Sequence, residues 1–218
     1  LGVEGMMITG AVIGFIFAVN TEIPIYGFIC AAIAGALLSV LFAVLTQYIM
    51  SNQVATGLGL TMVGLGLSAL IGKPYEGIRS PTLSKIEIPI LSDIPILGPM
   101  IFSHDAIVYF SIILVGTVAF VISKTRVGLV LRAVGENQEA AHALGYKVVR
   151  IRFLAIMFGG ATAGIGGAYI SLARVPQWTE GMTAGAGWIA LALVVFASWK
   201  PWRVLLGAYI FGGITVLQ

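Results

Sequence analysis

Long runs of apolar residues alternate with short polar segments along this sequence of 218 residues. A helix needs about 20 residues to cross the ~30 Å hydrocarbon layer of a membrane, where it satisfies its own backbone hydrogen bonds. The pattern therefore predicts an all-α fold, a polytopic helical transmembrane bundle that forms a single domain over 1–218. The predicted spans are 5–19, 25–50, 53–72, 106–123, 153–173, 185–199 and 204–217.

Two of these runs, 5–19 and 185–199, are shorter than a full crossing requires. We expect each of them to be tilted, broken or continued beyond these bounds.

Small residues recur four positions apart in the later spans, a spacing that lets helix backbones approach closely. We expect close packing at the pairs Gly160–Gly164, Ala163–Gly167 and Gly181–Gly185. Glycines also crowd the run 53–72, whose helix we expect to be irregular, as helices that line a translocation cavity often are. The glycines of that run that carry this expectation are Gly57, Gly59, Gly64 and Gly66.

The composition supports the membrane class. Apolar residues make up 59% of the chain and charged residues 10%, and the mean hydropathy is +1.03, which makes a soluble enzyme a poor first choice. The single cysteine, Cys30, excludes a disulfide within the chain and a cysteine cluster for a metal. The sequence starts without Met and ends inside an apolar run, so we expect a transmembrane domain truncated at both ends.

Basic residues are distributed unequally between the two sides of the predicted bundle. Sequential crossings place the loops after Met50, Ser123 and Trp199 on one side, which carries eight basic residues against four on the other. By the positive-inside rule, the side with eight is cytoplasmic. The segment 124–152 is then a cytoplasmic loop, and 73–105 faces outward. The sequence thus predicts a multi-pass protein of the cell membrane.

The cytoplasmic segment 124–152 is polar, and its centre predicts a short capped helix. Asn137 can cap a helix through its side-chain oxygen, residues 138–144 are mostly good helix formers, and Gly145 is typical of the position just past a helix end. We also expect a sharp turn at Gly135. A helix of about two turns could enter a groove on another protein or lie as a solvated connector along the headgroups, and the residues leave both open.

A few polar residues stand at or near membrane depth, where an acid is a functional candidate by default. Glu4 is either a structural cap or part of a solute pathway. Asn52 and Gln53 either cap the third span or bond a hydroxyl-rich solute, and Thr56 is a further pathway candidate. Other polar residues at this depth are Asn20, Thr61, Thr162, Ser171 and Thr183.

Catalytic and nucleotide-binding motifs are absent from the sequence, which contains no HExxH, GxSxG or Walker A pattern. His104 and His142 fall on opposite sides of the predicted membrane. The sequence therefore predicts no enzyme, no metal site and no cofactor, and the energy for transport would come from a partner. A self-powered secondary transporter would need a coupling-ion site, and an intramembrane enzyme would need a nucleophile with a base at matching depth. The predicted spans supply neither.

Glu-Ala-Ala at 139–141, followed after three residues by Gly145, resembles the EAA loop of ABC-importer permeases, whose short helix docks into the ATP-binding subunit. The family usually has Pro where this chain has Gln138. The similarity continues through LGVEGMM at the start of the chain and through the segments 51–72, 88–102, 132–145 and 180–201. Together these segments resemble the permeases related to the branched-chain amino acid importers, nearest the sugar and nucleoside branch.

The resemblance implies a membrane-spanning subunit of an ATP-driven ABC importer that moves nucleosides or simple sugars into the cytoplasm. A branched-chain amino acid permease is the alternative within the family. The implied partners are an ABC ATP-binding subunit, a second permease subunit in a heterodimer, an extracytoplasmic solute-binding protein and the lipid bilayer, without nucleic acid. The residues assigned to ATPase coupling are Gly135, Glu136, Asn137, Glu139, Ala140, Ala141 and Gly145, and the candidate pathway residues are Glu4, Asn52, Gln53 and Thr56.

Overall fold

The computed structural model describes residues 2–81 and 105–216, with side chains up to residue 213. Within these ranges the regular elements are helices, which confirms the predicted all-α bundle. The sequence segment 88–102 and His104 lie outside the described residues. The helices are α1 (Val3–Thr21), α2 (Pro24–Gln47), α3 (Gln53–Gly72), α4 (Ala106–Lys124), α5 (Arg126–Glu136), α6 (Gln138–Ala143), α7 (Val148–Tyr169), α8 (Ala186–Phe196) and α9 (Pro201–Val216), with a 3-10 turn (Lys73–Tyr75) after α3 and a π-helical turn (Ile170–Arg174) after α7.

Five helices of the described chain are long and apolar enough to cross a membrane, namely α1, α2, α4, and α3 and α7 with the turns that extend them. The other two predicted spans are shorter in the described chain, where α8 has 11 residues and the described part of α9 has 16. At 1.5 Å per residue α8 is about 16 Å long, roughly half of the hydrocarbon layer.

Helix α1 lies at the centre of the bundle. It packs against α2, α3 and α7, and its side chains Ile8, Val12 and Phe15 are almost fully buried. Helix α4, in contrast, is only partly buried along its length, with Ala119 as its buried residue. The described chain therefore presents much apolar surface outward, as expected for a protein surrounded by lipid or by other membrane subunits.

Small residues bring α1, α2 and α7 into backbone contact. Gly10 lies against Gly164, Gly35 lies against Gly160, and Gly167 lies against the backbone of α1, so that none of these positions has room for a Cβ atom. The predicted close packing is thereby confirmed at Gly160, Gly164 and Gly167.

Two other expectations about glycine are wrong. Gly181 and Gly185 lie in turns with φ of 69° and 82° and face open space, so their spacing of four does not mark a helix contact. The glycine-rich helix α3 is a continuous α-helix rather than an irregular one. Gly64 accounts for part of this glycine content, since it packs directly against Gly5 of α1, while Gly59 and Gly66 face open space.

Helices α1 and α3 run in the same direction but start at different depths. Gly5 lies against Leu60, near the middle of α3, and the Asn20 side-chain amide donates to the Tyr75 hydroxyl at 3.4 Å, just beyond the end of α3. The first turn of α1 therefore lies at about half the depth of the bundle.

A link without regular helix, residues 175–185, joins the end of α7 to α8. Its Trp178 forms an isolated β-bridge with Glu76, which places the link at the end of the bundle where α3 finishes. Helix α8 then begins beside Glu4, at mid-depth. Of the three expectations for the run 185–199, a broken crossing is the one observed, with the half-helix α8 as its helical part.

Candidate functional site

The polar segment 124–152 is organised by two helices before α7, rather than being a single loop. The Thr125 hydroxyl accepts a hydrogen bond from the Gly128 amide at 3.2 Å and caps α5. Gly135 lies within α5, so the sharp turn expected there is wrong. The chain turns instead at Asn137, whose φ and ψ of −146° and 103° are extended. The apolar positions of α5 explain the difference, because they bury Val134 and thereby extend the helix past Gly135.

Helix α6 forms as the sequence predicts. The Asn137 side-chain oxygen accepts from the Ala140 amide at 3.0 Å, and Glu139 lies in the first turn, where the helix dipole favours an acid. Gln138 is the first residue of the helix.

The end of α6 is closed by Gly145, which has a φ of 86°. Its amide donates to the His142 carbonyl at 2.9 Å, and the Tyr146 amide donates to the Ala141 carbonyl at 3.1 Å. This pair of bonds is a Schellman motif, which favours glycine at the left-handed position. The sequence-based expectation of a glycine-terminated helix is confirmed.

Ala141 does not belong to the outer face of α6. It is 2% exposed and packs with Val134 and Val148 in a small apolar cluster that joins α5, α6 and α7. Ala141, one of the residues assigned to coupling, is therefore buried away from a partner, and the cluster fixes α6 to the membrane helices instead. Of the residues assigned to coupling, those left exposed are Gly135, Glu136, Asn137, Glu139, Ala140 and Gly145.

An apolar side chain that the sequence analysis did not assign lies at the end of this helix. Leu144 directly follows α6, and its apolar side chain is 75% exposed. Beside it, Glu139 and His142 border a shallow pocket of about 390 Å³ between α6 and the start of α7. We call the exposed residues Gln138, Glu139, Ala140, His142, Ala143 and Leu144 the α6 surface.

A second site lies at mid-depth, where the carboxylate of Glu4 is 4% exposed. One carboxylate oxygen accepts from the Thr183 hydroxyl at 2.5 Å and from the Gly185 amide at 3.1 Å. The other accepts from the Gly187 amide at 2.6 Å. We call these four residues the Glu4 cluster, and it joins the first turn of α1 to the first turn of α8.

The other candidate pathway residues lie elsewhere. The Asn52 side-chain oxygen accepts from the Val54 and Ala55 amides at 2.9 and 3.1 Å, which makes Asn52 the N-cap of α3. The Thr56 hydroxyl bonds the Asn52 carbonyl at 2.8 Å, and Gln53 is exposed. The described structure does not bring these residues together with Glu4, which lies beside the middle of α3.

Thr183 is a polar residue at predicted membrane depth, but nothing in the sequence connects it with Glu4. The connection arises at the start of α8, where Gly185 offers no capping side chain. Within the described ranges, no group of three or more His, Cys, Asp or Glu side chains is placed to hold a metal ion.

Comparison with known proteins identifies the family. The model of the family described as branched-chain amino acid transport system, permease component, matches residues 1–218. The whole chain is 40% identical to a putative glucose ABC transporter permease protein of Haloferax volcanii, covering 68% of that protein. It is 33% identical, over 97% of the chain and 70% of the relative, to a guanosine ABC transporter permease protein of Bacillus subtilis. A nucleoside ABC transporter permease protein of Lactococcus lactis is 31% identical over the whole chain and 72% of its own length.

No solved structure matches the chain. The family match over the full length, together with five helices able to cross a membrane, agrees with the resemblance noted in the sequence. The chain therefore belongs to the family of branched-chain amino acid transport system permease components, as a membrane-spanning transport subunit.

Proposed function

We propose that this chain forms part of the membrane pathway of an ABC importer that takes up nucleosides or a simple sugar, and that a partner subunit hydrolyses the ATP. The proposed solute class rests on the names of three relatives. They are glucose, guanosine and nucleoside permeases, with 40%, 33% and 31% identity to this chain. The absence of a nucleotide-binding motif from the sequence supports a separate ATP-binding subunit.

The α6 surface is the proposed contact with that subunit. It lies in the segment that the distribution of basic residues places in the cytoplasm. Helix α6 is capped at both ends and attached to α7 through Ala141, so a force on α6 would reach a membrane-spanning helix. The exposed Leu144 supplies an apolar side chain that a cytoplasmic groove would bury.

A related but different permease is the proposed second membrane subunit. In Bacillus subtilis, two guanosine ABC transporter permease proteins match this chain, at 33% and 25% identity. Two glucose permeases of Haloferax volcanii match in the same way, at 40% and 25%. Two unequal permeases named for one solute in one organism favour a heterodimer over a pair of identical chains.

Two alternative functions are a branched-chain amino acid permease, within the family, and an ion-coupled secondary transporter, outside it. A branched-chain amino acid permease is favoured by the family description alone. An ion-coupled secondary transporter would need a free acid at depth. Among the described residues Glu4 is the buried acid, and both of its oxygens are already bonded to protein groups. The Glu4 cluster therefore gives that alternative no support.

The test is uptake by the complete complex in proteoliposomes, with its binding protein supplied outside and ATP supplied at the side of the ATP-binding subunits. Radiolabelled guanosine, adenosine, glucose and leucine are compared at equal concentration. We expect ATP-dependent uptake of a nucleoside or of glucose, and one copy each of two permeases in the purified complex. Uptake of leucine alone, or uptake without ATP driven by an ion gradient, would contradict the proposal.

A further inference from the structure

We infer that Glu4 is a positioning residue that holds the half-helix α8 in the middle of the membrane by capping it from another helix. The inference rests on the proposed transport function and deepens it, because it assigns Glu4 to the shape of the pathway rather than to contact with the solute.

The start of α8 needs a cap that its own residues do not provide. The first amides of a helix have no partner within the helix, and the residue at the cap position usually satisfies one of them with a side-chain oxygen. In α8 that position is Gly185, which has no side chain and a φ of 82°. Glu4 supplies the missing acceptors, since its carboxylate receives the amides of Gly185 and Gly187 at 3.1 and 2.6 Å.

The charge of Glu4 suits this role at both helices that meet there. Glu4 lies in the first turn of α1 and bonds the first turn of α8, so one negative charge faces the positive ends of two helix dipoles. An uncompensated acid at this depth would be costly in a membrane. The three hydrogen bonds from Thr183, Gly185 and Gly187 offset that cost without any ion or solute.

The packing around Glu4 leaves no space for a solute hydroxyl in this conformation. Its carboxylate oxygens are bonded to the protein, and its side chain is 4% exposed. Gly187 approaches so closely that a Cβ atom there would lie 2.7 Å from the Glu4 Cα atom. The contact between α1 and α8 is therefore one of backbone on backbone, with the carboxylate fixing its register.

The position of α8 depends strongly on this cap, because a half-helix has fewer packing contacts to hold it than a full membrane span has. Helix α8 has 11 residues, and the link 175–185 before it has no regular helix to hold it. Loss of the cap would leave two amide groups without an acceptor at mid-depth, where water is scarce. We therefore expect the start of α8 to move or fray when the carboxylate is removed, with the rest of the bundle intact.

The experiment compares Glu4→Gln, Glu4→Asp and Thr183→Val in the reconstituted complex, with Ser171→Ala as the matched control. The Ser171 hydroxyl is also buried, but it bonds the Ala11 carbonyl of α1 at 2.9 Å and the Ala168 carbonyl of α7 at 3.3 Å rather than a residue of α8. Two quantities are measured: the maximal rate and half-saturating solute concentration of uptake, and the hydrogen exchange of the amides at 185–188.

Glu4→Gln should lower the maximal rate at least about tenfold with a half-saturating concentration within about twofold of wild type, because a charge-assisted cap is lost and solute contacts remain. Exchange at 185–188 should quicken in the same variant. Glu4→Asp keeps the charge on a shorter side chain and should restore part of the rate, and Ser171→Ala should behave as wild type.

A higher half-saturating concentration with an unchanged maximal rate and unchanged exchange would overturn the inference in favour of direct solute contact. Wild-type values of all quantities in Glu4→Gln would overturn it as well. If Glu4→Gln does not assemble, Thr183→Val decides, since it removes one of the three bonds and should still quicken exchange at 185–188. A wild-type complex that transports neither sugar nor nucleoside would refute the proposed function, whereas the exchange comparison would still test the cap.

Discussion

At the scale of single residues, Gly164 determines how closely three helices can approach. It lies on α7 against Gly10 of α1 and against Ala31 and Gly35 of α2. A Cβ atom there would overlap the Ala31 carbonyl group, which belongs to the backbone and cannot rotate away. The position therefore requires glycine for packing and not for an unusual φ.

Replacing Gly164 with Ala should destabilise the protein by about 1–3 kcal/mol, the usual cost of overpacking a well-packed core. The matched control is Gly166→Ala on the same helix, where the nearest atom, at 3.9 Å, is the flexible end of Met7. That control should be neutral or slightly stabilising because alanine favours helix. Thermal unfolding of the purified chain in detergent checks both variants, and equal melting temperatures would contradict this packing.

Single residues also show what the sequence could and could not predict. The spacing of Gly160 and Gly164 predicted close packing because both lie in a regular helix, where four residues return to the same face. The same spacing gave a wrong prediction of close packing at Gly181 and Gly185, because the chain there is not helical. The partners of Glu4 were out of reach because Thr183 and Gly187 lie about 180 positions away along the chain and only the fold joins them.

At the scale of elements, α6 is a short helix that depends on its caps. Helices of about two turns are marginal in water without help, because nucleation is unfavourable. The Asn137 cap and the Gly145 motif satisfy its terminal groups, and Ala141 ties it to α5 and α7. The sequence predicted α6 because its caps are local signals. Helix α5 was not predicted, although its Thr125 cap and its apolar face are also local features of the sequence.

Asn137→Ala should remove about 1 kcal/mol of helix stability, so that α6 frays while the membrane helices stay intact. The matched control is Asn52→Ala, which removes the same kind of cap from α3. Since α3 has 20 residues and packs against α1, its amides should stay protected. Hydrogen exchange of the peptides covering 138–144 and 57–70 makes the comparison. Equal protection of α6 in wild type and Asn137→Ala would show that the cap does not hold it.

At the scale of the whole molecule, the two candidate sites lie at different levels of one bundle. The α6 surface lies at the start of α7, and the Glu4 cluster lies at mid-depth between α1 and α8. Helix α7 connects these levels, because it packs on α6 through Val148 and on α1 through Gly164 and Gly167. A movement at α6 therefore has a direct packed route to α1, which carries Glu4.

The sequence predicted the bundle at this scale because about 20 consecutive apolar residues have few other solutions than a membrane span. It left open whether the run 185–199 is tilted, broken or continued, because an apolar run does not reveal whether its helix is broken. Helix α8 is short because it begins only after the link 175–185, whose non-helical course becomes apparent only in three dimensions.

Coupling through α6 is tested most directly by ATP hydrolysis of the reconstituted complex, measured with and without solute-loaded binding protein, for wild type and Leu144→Glu. We expect the loaded binding protein to stimulate hydrolysis in wild type. In Leu144→Glu that stimulation should fall about tenfold, because an exposed apolar contact becomes an acid at the joint with the ATP-binding subunit. Arg132→Gln, an exposed change on α5 outside the α6 surface, should leave it unchanged. Full stimulation in Leu144→Glu, with the variant correctly inserted and assembled, would contradict the proposed coupling through α6.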